Sequence, residues 1–286
     1  VKSGVPLAET QKTIEREVTA SGIGLFTGEK VSLKMVPSPS NTGVVFQRVD
    51  LPLKPEIPAK LAFVQDAVRC TRLVKDGASI HMVEHLLSAL SAMQIDNVKI
   101  EVEGPEIVAC DGSAKPFVDL IEKAGIKSQD AKRSYIKIKE PIYWSEKDVH
   151  LVALPSNEFR ISYTMHYPKA SFLRPQYYTA VLTPEIFKKE IAFCRTFSFY
   201  EEILPFMEKG QIKGGGLENA LVIKGDQVMN PEGERSFNEM VCHKVLDLNG
   251  DLSLLGFPIL GHIISIRSGH SSNVAFAKMI ANQECL

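Results

Sequence analysis

Two apolar helical stretches, each carrying a histidine and each preceded by strand-like text, set the tightest limit on how this chain can fold. In residues 79–93, Val83, Leu86, Leu87, Leu90 and Met93 recur at helical spacing and form one apolar stripe. Residues 240–255 form the second such helix, despite Gly250. A striped helix must bury its apolar face against another layer, so two of them require two layered units or one shared interior. Around the first, residues 31–36 alternate apolar and polar, 43–46 open another strand, 97–102 alternate again, and 117–124 form a helix closed by Gly125. Around the second, strands are predicted at 136–138, 149–154, 159–165 and 263–267, and helices from Pro184, over 199–209 and over 272–281. The Pro-rich stretch 51–58 reads as an irregular connection. The polar, charged stretch 126–134 reads as a linker, dividing the chain into domains 1–128 and 129–286. The predicted class is therefore α+β, with two similar domains, each a sheet plus two helices.

Composition narrows the function. With 286 residues, 44% hydrophobic and 23% charged, the chain can bury a large core without disulfide staples. A net charge of -1 gives no general pull toward nucleic acid or an anionic membrane. Cys70, Cys110, Cys194, Cys242 and Cys285 are widely spaced, with no Cys-x-x-Cys, which excludes a disulfide framework and a Cys-based zinc finger. No apolar run approaches the roughly 20 residues that span a bilayer, and the N-terminal text lacks a basic-then-apolar signal pattern. A cytoplasmic location is expected.

Three segments carry chemistry. On the second helix, His243, Asp247 and Asp251 fall at successive four-residue steps and share one face, so His243 and Asp247 can ligate one metal ion. An ordinary helix-surface ion pair uses the same spacing. On the first helix, Glu84 and His85 sit beside the apolar stripe. A further ligand from here would complete a His, His, Asp set that leaves one position open to water, with Glu84 placed to accept a proton. A helix-surface Glu beside a satisfied core His is the plainer interpretation. The segment Arg267-Ser268-Gly269-His270-Ser271 is predicted to present His270 on a loop between strand and helix, as an acid–base candidate or a merely exposed side chain. Gly22, Gly24 and Gly28 read as a turn, and Gly214–Gly216 lack the Lys-Ser/Thr of a phosphate-binding loop. Phe197, Phe199, Ile203, Phe206 and Met207 either line an apolar pocket or pack a core.

Together these segments resemble the zinc-dependent UDP-3-O-acyl-N-acetylglucosamine deacetylases of lipid A biosynthesis. The resemblance rests on Val83-Glu84-His85-Leu86, Asp96-Asn97, Asp111-Gly112-Ser113, Arg195-Thr196-Phe197, Lys213-Gly214-Gly215, Asn230-Pro231, His243-Lys244-x-x-Asp247-x-x-Gly250-Asp251 and Gly269-His270, in family order from about residue 11 to 277. It implies two α+β domains packed as a β-α-α-β sandwich with one insert each, the second insert, near 192–223, forming a passage for an acyl chain. It implies His85, His243 and Asp247 as ligands of one Zn2+ (Fe2+ fits the same donors), Glu84 as general base and His270 as the acid that protonates the leaving amine. Asp251 would hold His270, Thr196 would donate to the oxyanion, Lys244 would add positive charge, and Phe197, Phe199 and Ile203 would contact substrate. The implied partner is an acylated UDP-sugar, met by a monomer with no transmembrane segment. The same metal set would also serve an amidase for a different N-acetyl sugar, or a non-catalytic metal-binding protein. The chain departs from the family pattern at Phe26, where His is usual, and at Met82, Val108 and Asn249; Cys70 falls near the implied metal site as a non-ligand.

Overall fold

The computed structural model describes residues 10–66, 69–168 and 173–284. The protein is mixed α and β. Among the described residues the α-helices are α1 (Glu84–Ala92), α2 (Lys115–Ala124), α3 (Pro184–Ile186), α4 (Tyr200–Glu208), α5 (Glu239–Ser253) and α6 (His270–Glu284).

Two larger sheets carry the same strand arrangement. In the first half, the spatial order is Val18–Ile23, Lys30–Pro37, Val98–Glu103, Val44–Arg48, Glu56–Pro58; only Val44–Arg48 and Val98–Glu103 run parallel. In the second half it is Ile142–Glu146, Val149–Leu154, Ile259–Ile266, Phe159–Met165, Gln176–Val181, again with one parallel pair in the same place, Phe159–Met165 beside Ile259–Ile266. Ile136–Lys137 adds a short parallel pairing to Ile259–Ile266. Alternation explains the facing: Val31, Leu33 and Met35 of Lys30–Pro37 are buried while the residues between them are not.

Four expectations need correction. Residues 79–93 are not one helix: Ala78–His81 is a strand paired with Arg72–Lys75, and the chain turns at Met82 (φ 60°) before α1 begins at Glu84. The apolar stripe hid the break, because Ala78 and Ile80 satisfy a two-residue period as well. The polar stretch 126–134 is not a free linker: Ile126–Lys132 is a strand paired antiparallel with Thr10–Ile14. A strand of a two-stranded ribbon has largely exposed faces, so polarity alone mimics a linker. The 51–58 connection ends in the short strand Glu56–Pro58. His270 is the first residue of α6 rather than a loop residue.

α1 and α5 meet closely. A Cβ on Gly250 would lie 2.2 Å from the Glu84 carbonyl oxygen, so only glycine lets α5 approach the start of α1 at this distance. One residue earlier, Asn249 bridges the helices, its Nδ2 donating to the carbonyl and the hydroxyl of Ser88 (3.0 Å each), while the Ser91 hydroxyl donates to Oδ1 (3.3 Å). Polar Asn249 thus pairs with two serines of α1. Among the described residues, no helix is long and apolar enough to cross a membrane.

Candidate functional site

The α1–α5 contact places the chemistry. Glu84 and His85 open α1, and α5 presents His243, Asp247 and Asp251 along one face. His85, His243 and Asp247 are all buried, and their ligand atoms lie within 4.8 Å of one another. The two imidazoles meet edge to face, with ring centroids 4.9 Å apart. His85 Nε2 is 3.6 Å and His243 Nε2 3.3 Å from the same oxygen, Asp247 Oδ1.

Hydrogen bonding decides what that approach means. His243 Nδ1 is 3.0 Å from the Cys194 carbonyl, which can only accept, so Nδ1 carries the proton and Nε2 a lone pair. Burial holds this imidazole below the ordinary histidine value, favouring its neutral form. Asp247 Oδ2 accepts from Lys244 Nζ at 2.6 Å, but Oδ1 is buried with no hydrogen-bond partner. A lone pair of His243 and an orphaned carboxylate oxygen thus face one another in a buried site, which is costly unless a cation lies between them. Two imidazoles and a carboxylate are the donor set of an open zinc or iron(II) site, and the residues fit such an ion.

Beside it is a second cluster. Asp251 Oδ2 is 2.9 Å from His270 Nδ1 and accepts from Asn273 Nδ2 at 2.8 Å; Oδ1 accepts from the Thr71 hydroxyl at 2.5 Å. His270 Nε2 in turn lies 3.8 Å from Glu84 Oε1, while Glu84 Oε2 accepts from the Thr71 backbone N–H at 3.0 Å. Burial works against a charged His270, but the Asp251 and Asp247 carboxylates outweigh it and raise it to about 10. Burial, aided by the Asp251 and Asp247 charges against the pull of His270, raises Glu84 to about 7. Burial likewise opposes the Lys244 ammonium, yet the Asp247 carboxylate keeps it raised and charged.

The 194–199 segment forms the adjoining wall. Thr196 is held through its backbone, its N–H donating to the Gly112 carbonyl and its own carbonyl accepting from Leu221. Phe197 stands edge-on to His243 (6.5 Å between centroids), and Lys244 Nζ lies 5.7 Å from its ring centre. Tyr167 packs edge-to-face on both Phe197 and Phe199. Ile203 is on α4, a helix with no buried residue although it carries Ile203, Leu204, Phe206 and Met207. Cys70 is buried beside Thr71 and outside the ligand cluster. Phe26 packs near His81, with centroids 6.2 Å apart.

The structure brings Glu84, His85, His243, Lys244, Asp247, Asp251 and His270 into one cluster, with Phe197 against His243. Sequence reading missed Thr71, Asn273 and the Arg195–Glu239 pair, in which the buried guanidinium donates to Glu239 at 2.8 Å beside Thr196. Asn273 could have been found, since it stands one helical turn after His270; nothing local marks Thr71.

Comparison with known proteins follows the same lines. The profile of the UDP-3-O-acyl N-acetylglycosamine deacetylase family matches residues 11–282. The UDP-3-O-acyl-N-acetylglucosamine deacetylase of Chlamydia pneumoniae is 46% identical over 275 residues, covering 96% of this chain and 98% of that protein. The like-named proteins of Chlamydia caviae and Chlamydia trachomatis serovar L2 are 44% and 45% identical over 274 residues, each covering 96% of this chain and, respectively, 98% and 96% of their own lengths.

Proposed function

The chain belongs to the UDP-3-O-acyl N-acetylglycosamine deacetylase family, and from that premise we propose that Glu84 and His270 work as base and acid beside a zinc ion held by His85, His243 and Asp247. The protein is an amide hydrolase that removes the N-acetyl group of UDP-3-O-acyl-N-acetylglucosamine in lipid A biosynthesis. The orphaned Oδ1 of Asp247, faced by two imidazole Nε2 atoms, is the observation that carries the metal assignment. His85, His243 and Asp247 would hold a divalent ion, which would supply Lewis-acid polarisation of the amide carbonyl and activation of water. Iron(II) suits the same donors.

The chain's own groups do the rest. Glu84 Oε1 accepts the proton of the attacking water, since Oε2 is engaged by the Thr71 N–H. The Thr196 hydroxyl and the Lys244 ammonium stabilise the negative charge that develops on the amide oxygen, a contribution of roughly 3–4 kcal/mol for one well-placed donor. His270, cationic through neutral pH because Asp251 lies against it, protonates the nitrogen, and the C–N bond breaks to release acetate and the amine. Phe197 packs against the sugar or its nucleotide. Residues 192–223, with Phe199 and Ile203, form the passage for the acyl chain; the apolar, unburied α4 supports this, since each buried CH₂ contributes about 0.8 kcal/mol.

We assign the chain to two domains, 1–128 and 129–286, packed as a β-α-α-β sandwich, with the boundary inside the strand Ile126–Lys132 that pairs back on Thr10–Ile14. The equal strand order of the two sheets and the close α1–α5 contact support that division. A monomeric, cytoplasmic enzyme is the simplest setting. The deciding experiment is deacetylation of UDP-3-O-acyl-N-acetylglucosamine before and after chelation, with Zn2+ or Fe2+ added back. Activity should vanish with the metal and return with it; full activity in the metal-free protein refutes the assignment. A substrate lacking the acyl group should lose kcat/KM heavily, and equal rates would remove the passage.

A further inference from the structure

We infer that Thr71 is a positioning residue that locks the base and acid arms of the site into register, an inference that rests on the roles proposed above for Glu84 and His270. Thr71 precedes the strand Arg72–Lys75 and is 2% exposed. It makes three contacts that tie the two arms of the site together. Its backbone N–H donates to Glu84 Oε2 at 3.0 Å, its carbonyl accepts from Val83 N–H just ahead of α1 at 3.4 Å, and its hydroxyl donates to Asp251 Oδ1 at 2.5 Å. The hydroxyl oxygen also lies 3.3 Å from His270 Nδ1.

Each contact selects one atom for the chemistry. With Oε2 of Glu84 engaged, Oε1 is the oxygen left toward His270 and the reacting water. With Oδ1 of Asp251 engaged by the hydroxyl, Oδ2 is the oxygen left for His270 Nδ1 and for Asn273. A carboxylate with an unpaired buried oxygen can rotate to seek another donor, and the partner it was orienting then loses its geometry. Removing the Thr71 hydroxyl therefore loosens His270 through Asp251, without touching the metal ligands. Placement errors of this kind fall on turnover more than on substrate binding.

The test compares Thr71→Val, Thr71→Ser and Glu84→Gln in the full-length, metal-loaded enzyme, reading kcat, KM, bound metal and Tm. Thr71→Val should lower kcat by about tenfold or more, the scale of one lost hydrogen bond to a charged group. Its KM should stay within about twofold and its bound metal should match the wild type, while Tm should fall by a few degrees because a buried carboxylate oxygen loses its donor. Thr71→Ser, which keeps the donor, should recover most of the rate. A Thr71→Val enzyme with wild-type kcat, beside a Glu84→Gln enzyme that has collapsed, overturns the positioning role alone. A rate loss that tracks metal loss, that Thr71→Ser does not repair, or that comes with a Tm fallen to the assay temperature overturns it in favour of a structural role. A fully active Glu84→Gln enzyme removes the acid–base assignment itself, and the role of Thr71 with it.

Discussion

Asp247 and Asp251 stand one turn apart on α5 and are buried alike, 2% and 0% exposed, yet their surroundings are opposite. Asp251 receives donors at both oxygens from Thr71, His270 and Asn273. Asp247 has one oxygen on Lys244 and the other on nothing. A buried carboxylate that is fully hydrogen-bonded is a fixed support, whereas one with a bare oxygen facing two imidazole Nε2 atoms is open to a cation. The same residue type on the same helix face is thus set to two tasks by what lies across from it.

The contrast can be broken at several points. The largest effect is expected at Asp247→Ala, which removes the shared oxygen: bound metal should be lost and kcat/KM should fall by at least about a thousandfold, as read by metal analysis and a deacetylase assay. Asp251→Asn should leave the metal in place while kcat falls by about ten- to a hundredfold. Its pH profile sharpens the point. The Asp251 carboxylate keeps His270 protonated up to about 10, so the stabilising contribution of the pair is complete below 6.5 and is lost as pH rises through about 10. Removing the negative charge lowers the His270 value, and the alkaline limb of kcat/KM should move to lower pH. An unmoved limb would separate His270 from the acid role.

Smaller effects test the helix contact that brings both corners together. Gly250→Ala pushes a methyl group at the Glu84 carbonyl. It should cost about 2 kcal/mol and lower Tm by roughly 4–8 °C, with weaker metal binding measured by chelator competition, because α1 carries His85. Asn249→Ala removes the bridge to Ser88 and Ser91. It should cost about 1 kcal/mol, seen as a Tm drop of about 2–4 °C, with kcat near wild type.

Much of the site was legible in the text because it is helical. A four-residue step puts His243, Asp247 and Asp251 on one face whatever else the chain does, and Glu84 and His85 are neighbours by sequence. The inner strands Lys30–Pro37, Val44–Arg48, Val98–Glu103, Val149–Leu154, Phe159–Met165 and Ile259–Ile266 were legible for the same reason, since alternation is local, whereas the outer strands Val18–Ile23, Glu56–Pro58, Ile142–Glu146 and Gln176–Val181 were not. The strand Ile126–Lys132 was not, because a polar ribbon strand and a linker have the same composition, and its partner Thr10–Ile14 lies more than a hundred residues away. The break at Met82 was hidden because two periodicities overlap there.

Sequence by itself determined the α+β class, the shared face of His243, Asp247 and Asp251 on α5, the adjacency of Glu84 and His85 at the start of α1, and, through the spread of its motifs, the family. Tertiary structure alone decided which oxygen of each carboxylate is free, which nitrogen of His243 carries a lone pair, and that Thr71 and Asn273 belong to the site. Hydrogen-bond partners contributed across the fold are contacts between residues far apart in the chain, and no local pattern encodes a distance of that kind.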